Sequence, residues 1–148
     1  MDAISLLKND HRKVENLFSN IEKGNGNREE LFKELATELT VHTEIEEKLF
    51  YPAAKDADPT RDLVLESYEE HKQVKMVLSD LEETDKKTEE WLAGLKVLME
   101  DVQHHVKEEE NELFPKVKDK VLSKEQLDDL GTRMEEMKMQ QLGALKRS

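Results

Sequence analysis

The 148-residue sequence contains no cysteine. That absence removes disulfides, thiolate catalysis, cysteine-ligated zinc and iron–sulfur clusters from consideration. Aromatic content is 5% and hydrophobic content only 36%, against 39% charged residues, so little apolar material is available beyond one core. An architecture with a large polar surface, such as a helical bundle, suits those proportions in a chain of single-domain length. No stretch of 18 apolar residues occurs, and the N-terminal MDAISLLKNDHRK lacks a basic region followed by a long apolar one. Neither a membrane span nor a leader is therefore expected, and the expected location is cytoplasmic. Basic residues are also in deficit, 23 against 35 acidic, leaving a net charge of -12. Nucleic acid and anionic membrane, both of which would repel that charge, are not expected partners.

What is present is periodicity. Ile4, Leu7, His11, Val14, Phe18 and Ile21 are spaced 3, 4, 3, 4, 3, which is one inward helical stripe with a histidine in its middle. KGNGN at 23–27 supplies a glycine stop and a turn, and Asn27 with Glu30 reads as the capped start of a second helix over about 28–54. Its inward positions are Leu31, Leu35, Leu39, His42, Glu46, Leu49 and Ala53. After a turn centred near residue 57, Asp58 and Pro59 open a third helix to about Leu81, with Val64, Ser67, His71, Val74, Leu78 and Leu81 inward. A fourth helix carries Trp91, Leu95, Leu98, Val102, His105, Glu109 and Leu113. Ser123 with Gln126 is a further capping box, which starts a shorter amphipathic helix over about 124–142. The expected fold is all-α: an up-down-up-down four-helix bundle over 1–122, with a C-terminal helix and tail over 123–148.

The two halves resemble each other. HTEIEEKLFYP at 42–52 aligns without gaps on HVKEEENELFP at 105–115, and His11 and His71 precede the respective motif histidines by 31 and 34 residues. Counted from the turns, the four histidines lie about 14 to 19 residues along their helices, so at 1.5 Å per residue they fall in one slab about 8 Å thick. Glu46 and Glu109 follow His42 and His105 at i+4 and share their faces. Burying two uncompensated carboxylates would cost several kcal/mol each, whereas bound cations make the same groups favourable. Imidazole and carboxylate without sulfur suit iron, and less well manganese, better than structural zinc. Six ligands fit two ions about 3.5 to 4 Å apart, bridged by Glu46 and Glu109. The duplication assigns His11 and His42 to one ion, His71 and His105 to the other.

A histidine, a His-x3-Glu-Glu ending in FYP, a third histidine and a second His-x3-Glu-Glu ending in LFP resemble the hemerythrin-like (HHE cation-binding) family over about residues 4–118. The resemblance implies a non-haem di-iron centre with an oxo or hydroxo bridge that binds dioxygen at an open position. The sequence departs from the family's oxygen carriers in two places. Lys75 stands where they have a second third-helix histidine, and Glu109 at i+4 stands where they have an aspartate at i+5. Family members of this four-histidine kind are associated with sensing iron or oxygen and with handling peroxide or nitric oxide. The expected function is therefore binding dioxygen, peroxide or nitric oxide, with peroxide disproportionation as an enzymatic alternative and iron storage or delivery as a weaker one.

The doubled histidine at 104 and 105 allows two registers, and the 102, 105, 109 stripe together with the LFP alignment selects His105, leaving His104 as a flank. Glu47 and Glu110 are candidates to orient the imidazoles, Tyr68 to reach the centre or simply pack, and Lys75 to act near the centre or snorkel outward. Phe50, Tyr51 and Phe114 are expected to pack rather than ligate, with Pro52 and Pro115 ending their helices. Leu127, Leu130, Met134, Met137 and Leu142 form a stripe that either covers the bundle or docks a protein partner.

Overall fold

The computed structural model describes residues 1–55 and 58–147, with side chains to residue 145; the turn expected near residue 57 lies outside the described residues. Five rods account for the described residues, among which no strand occurs. Helix α1 spans Ala3–Lys23. Its N-cap Asp2 accepts a bond of 2.9 Å from the Ser5 amide, and the chain leaves it through Gly24 at φ 70°, a left-handed conformation that glycine adopts without strain. Helix α2 covers 28–55, starting as Arg28–Ile45 behind an Asn27 cap. Helix α3 spans Asp58–Glu83. Helix α4 covers 89–121, opening as Glu89–Glu108 behind a Thr88 cap. Helix α5 spans Lys124–Arg147 behind the expected reciprocal box, in which Ser123 N donates to Gln126 Oε1 (2.8 Å) and Gln126 N to Ser123 Oγ (3.1 Å). It runs beyond the expected end at 142.

Neither Pro52 nor Pro115 ends its helix, contrary to expectation. Each stands two residues after a π-helical turn, Glu46–Phe50 in α2 and Glu109–Leu113 in α4, and the rods continue to Lys55 and Val121. A proline lacks the N–H and crowds the preceding turn, and the extra residue of a π turn widens the helix there. The same insertion advances the register by one. Leu49 and Ala53, expected inward, are partly buried, while Phe50, Tyr51 and Ala54 are fully buried. In α2 the ring of Phe32 likewise takes the core position expected for Leu31.

Two apolar cores result, one at each end of the bundle. The first joins Leu7, Val41, Ile45, Phe50, Phe114 and Val117; the second joins Val14, Phe18, Leu35, Leu78, Trp91 and Leu98. The histidine-bearing turns lie between them. Helix α5 packs on α1 and α2 and contributes Leu127, Leu130 and Met134 to the first core. No helix among the described residues is long and apolar enough to cross a membrane.

Gly131 sets how closely α5 approaches the start of α1. A Cβ there would stand 2.2 Å from the Met1 carbonyl oxygen, which is backbone and cannot rotate away. Gly131→Ala should therefore lower stability by about 1–3 kcal/mol in denaturant unfolding, with early amide exchange confined to α5 and the first turn of α1. Gly143→Ala, which meets nothing within 4 Å, should leave stability unchanged or slightly raised.

Candidate metal centre

The structure brings His11, His42, His71, His105, Glu46 and Glu109 together, all six buried. Each imidazole turns Nε2 inward. His42 and His71 both hold Nε2 at 3.1 Å from Glu46 Oε1, while His11 Nε2 lies 3.2 Å from Glu109 Oε1 and His105 Nε2 3.2 Å from Glu109 Oε2. Glu46 thus reaches a histidine from each half, and Glu109 does the same with its two oxygens. Nitrogen and oxygen atoms of His11, His42, Glu46 and Glu109 lie close enough to one another to share an ion, as do those of Glu46, His71 and His105.

Every Nδ1 faces outward onto a carboxylate. His11 pairs with Glu110 (2.6 Å), His42 with Asp10 (3.0 Å), His71 with Glu47 (2.8 Å) and His105 with Glu70 (2.6 Å). A carboxylate at Nδ1 keeps the proton there and leaves the Nε2 lone pair facing the centre. Glu47 and Glu110, expected beside the imidazoles, are two of these four carboxylates. Asp10 and Glu70 were not anticipated, although the sequence carried a signal: an acidic residue directly precedes both odd-helix histidines. Each outer carboxylate also meets a basic side chain. Arg12 donates to Glu110, Lys75 to Glu47 at 2.8 Å and Lys138 to Asp10, while His104 Nε2 stands 3.6 Å from Glu70. Lys75 therefore neutralises Glu47 rather than simply snorkelling, and His104 stays at the surface between Glu70 and Glu108.

Tyr51 is the residue whose expected role changes most. Its hydroxyl donates to Glu109 Oε2 and lies 3.2 Å from Nε2 of both His71 and His105. The π turn is responsible: an α-helical register would have rotated Tyr51 about 100° away from the layer, whereas one residue of insertion returns it to the face of Glu46. Tyr68 does not reach the cluster. Its hydroxyl donates to the Glu47 carbonyl at 3.4 Å and its ring packs edge-on against Tyr51.

Electrostatics follow from these contacts. Burial alone would depress the His42 pKa, but Glu46 and Asp10 outweigh it and push it up to about 10. His71 and His105 are raised in the same way against their burial, by Glu46 and Glu47 in one case and chiefly Glu109 in the other. Burial would raise Glu46, yet His42 and the other imidazoles hold it well below the usual carboxylate range. Tyr51 is pushed well above the usual phenol value by burial and by Glu109 and Glu46.

Among the described residues five buried side-chain atoms still lack a hydrogen-bond partner: Glu108 Oε2 at the flank, and four at the centre, His11 Nε2, His42 Nε2, Glu46 Oε2 and Glu109 Oε1. Buried polar atoms are rarely left so, and four converging lone-pair donors on adjacent side chains are what a cation requires. The donor set of imidazole and carboxylate, with no sulfur, fits a borderline or hard metal ion.

A helical bundle whose mid-plane holds a buried histidine–glutamate cluster able to bind metal is a cation-binding domain. The chain belongs to the hemerythrin HHE cation-binding domain family, whose model matches residues 2–117. A Mycobacterium kansasii hemerythrin HHE cation-binding domain-containing protein has the same fold at a TM-score of 0.84 and 29% identity, covering 97% of this chain and 89% of that one. The uncharacterized protein Rv2633c of Mycobacterium tuberculosis is 30% identical across 90% of this chain and 83% of its own length. A protein named DNA nickase from Nostoc sp. is 28% identical across 89% of this chain, which spans only 38% of that relative.

The pKa shifts set the pH response of the ion-free protein. Raised histidines contribute stability that is fully present below their ordinary value of 6.5 and is lost as pH climbs toward about 10. Depressed carboxylates such as Glu46 contribute stability present above 4.5 and lost as pH falls through their lower folded values. Thermal unfolding of chelator-treated protein should therefore show a Tm maximum between about pH 5 and 7 and decline on both sides. Adding metal should abolish the alkaline decline, because the ion replaces the protons.

Proposed function

We propose that the chain is a di-iron protein that handles small oxygen- or nitrogen-centred ligands. One iron would be held by His11 and His42 and the other by His71 and His105, with Glu46 and Glu109 serving both and Tyr51 at the second. The observation that carries this reading is the convergence of unpartnered, buried Nε2 and carboxylate atoms at one point of an otherwise apolar interior. Iron supplies Lewis acidity and redox capacity toward dioxygen, peroxide or nitric oxide, and manganese is the next best match to the same donors.

The chain's own residues would do three things. Asp10, Glu47, Glu70 and Glu110 hold the Nδ1 protons, so each imidazole keeps one orientation whatever the state of the centre. Val14, Leu39, Val74, Val102 and Val106 line a cavity of about 20 Å³ against the four histidines, room for about one water-sized molecule behind an apolar wall. Tyr51 keeps its proton on the hydroxyl, donated to Glu109 Oε2 beside two imidazoles, which gives the site an internal hydrogen-bond donor.

That buried phenol favours a second, more specific reading, the disproportionation of hydrogen peroxide to water and dioxygen, over reversible oxygen carriage. The activity in the nickase relative's name is not carried over. Most of that protein lies outside the similarity, and a net charge of -12 repels phosphate.

Anaerobic reconstitution with ferrous iron should give two irons per chain, and Glu46→Ala should lose at least one of them without unfolding the helices. Dioxygen release from peroxide no faster than that of free iron would reject the enzymatic reading. Glu47→Gln should weaken iron binding about 10- to 100-fold in a chelator competition. Tyr51→Phe should retain both irons and slow peroxide decomposition by about 10²-fold or more.

A further inference from the structure

The outer carboxylates are not equivalent. Glu47, Glu70 and Glu110 have side chains 25%, 18% and 20% exposed, whereas Asp10 is 4% exposed. The first three meet basic side chains from within the four-helix bundle: Glu47 meets Lys75 of α3, Glu110 meets Arg12 of α1, and Glu70 faces the imidazole of His104 of α4. Asp10, the most deeply buried, draws its cation from outside, from Lys138 of α5.

The internal repeat shows why. Asp10 and Glu70 are matched, each standing one before an odd-helix histidine and each holding Nδ1 of an even-helix one. Glu70 faces His104, the residue before His105. The equivalent residue before His42 is Val41, which is buried and carries no charge. The four-helix unit therefore offers Asp10 no counterpart of His104, and Lys138 stands in its place. The family model ends at residue 117, before α5 begins.

We infer that α5 is part of the metal centre, and that Lys138 is a positioning residue that holds Asp10 against His42 Nδ1 and so fixes one ligand of the His11–His42 ion. The inference rests on the di-cation reading above. Helix α5 presents Lys138 only when docked, and docking depends on the close approach at Gly131 and on Leu127, Leu130 and Met134. Lys138 remains 25% exposed at its side chain, so the charge is only partly desolvated while Asp10 is buried.

The test compares full-length Lys138→Met, Lys138→Arg and the parent chain, using zinc as a diamagnetic probe and iron as the working ion. Chelator competition should show one of the two ions bound about tenfold more weakly in Lys138→Met, the second unchanged, and both restored in Lys138→Arg. In the metal-free chains, histidine side-chain NMR should show the His42 Nδ1 proton protected in the parent and in Lys138→Arg but exchanging faster in Lys138→Met. A general loss of packing would instead affect both ions and all four ring protons alike. Gly131→Ala, which keeps Lys138 but loosens α5, should reproduce the selective loss in part. Equal binding of both ions and equal His42 protection in Lys138→Met would overturn the inference. A parent chain that takes up neither zinc nor iron stoichiometrically would overturn the di-cation reading instead, and the metal-free NMR comparison would still decide the role of Lys138.

Discussion

Glu46 and Glu109 are carried into the middle of the bundle at 0% and 1% exposure, flanked by four buried imidazoles and by hydrocarbon above and below. A carboxylate at that depth costs several kcal/mol unless positive charge accompanies it, and the rest of the architecture can be understood as the means of supplying that charge. Moving outward, inner carboxylates meet imidazoles, imidazoles meet outer carboxylates, and outer carboxylates meet Arg12, Lys75, His104 and Lys138. Acidic and basic groups alternate with distance from the axis. Because a half-satisfied buried network is worse than an apolar core, each shell constrains the next.

The two apolar cores share no side chains, so the polar layer is the joint between them. In the ion-free chain protons on the raised histidines act as counter-charges to Glu46 and Glu109. Metal ions and protons therefore compete for the same lone pairs, which couples loading to pH and ties the cohesion of the mid-section to occupancy. Dissimilar ends serve this joint: the Trp91 end is built from the four long helices alone, whereas the Phe114 end is sealed by α5.

Residues whose placement depends on helical period alone were legible in the sequence. His11, His71, His105 and Glu109 repeat in step with Leu7, Val74, Val102 and Leu98, and a stripe that alternates 3 and 4 carries its polar members to the same depth as its apolar ones. The pairing of Asp10 with His42 and of Glu70 with His105 was not legible, because it depends on how neighbouring helices are rotated about their own axes. Tyr51 was missed for a different reason. Counting at 3.6 residues per turn from Glu46 places Leu49 inward, and only the π turn, which replaces i→i+4 bonding by i→i+5, restores Tyr51 to that face. A proline two residues after the turn, repeated in both halves, is the local sign that the helix had to widen there. Lys138 lies 128 residues from Asp10, and no local pattern links them.

The internal repeat aligns Tyr51 with Phe114, and this one oxygen atom breaks the symmetry of the centre. Phe114 stacks on His11 with its ring nearly parallel, at 6.0 Å between centroids, and offers no polar atom. Tyr51 leans on His71 at 5.3 Å and places its hydroxyl against Nε2 of both His71 and His105. The consequence is visible in the hydrogen bonding: the unpartnered Nε2 atoms are those of His11 and His42, and those of His71 and His105 are satisfied. A phenol beside one pair of imidazoles fills space and donor capacity that a small ligand would otherwise use. On the di-iron reading the two positions are thus chemically distinct despite their matched histidines. On that reading the His11–His42 side would be the one left for exchangeable ligands, and it is also the side whose His42 is held, through Asp10, by α5.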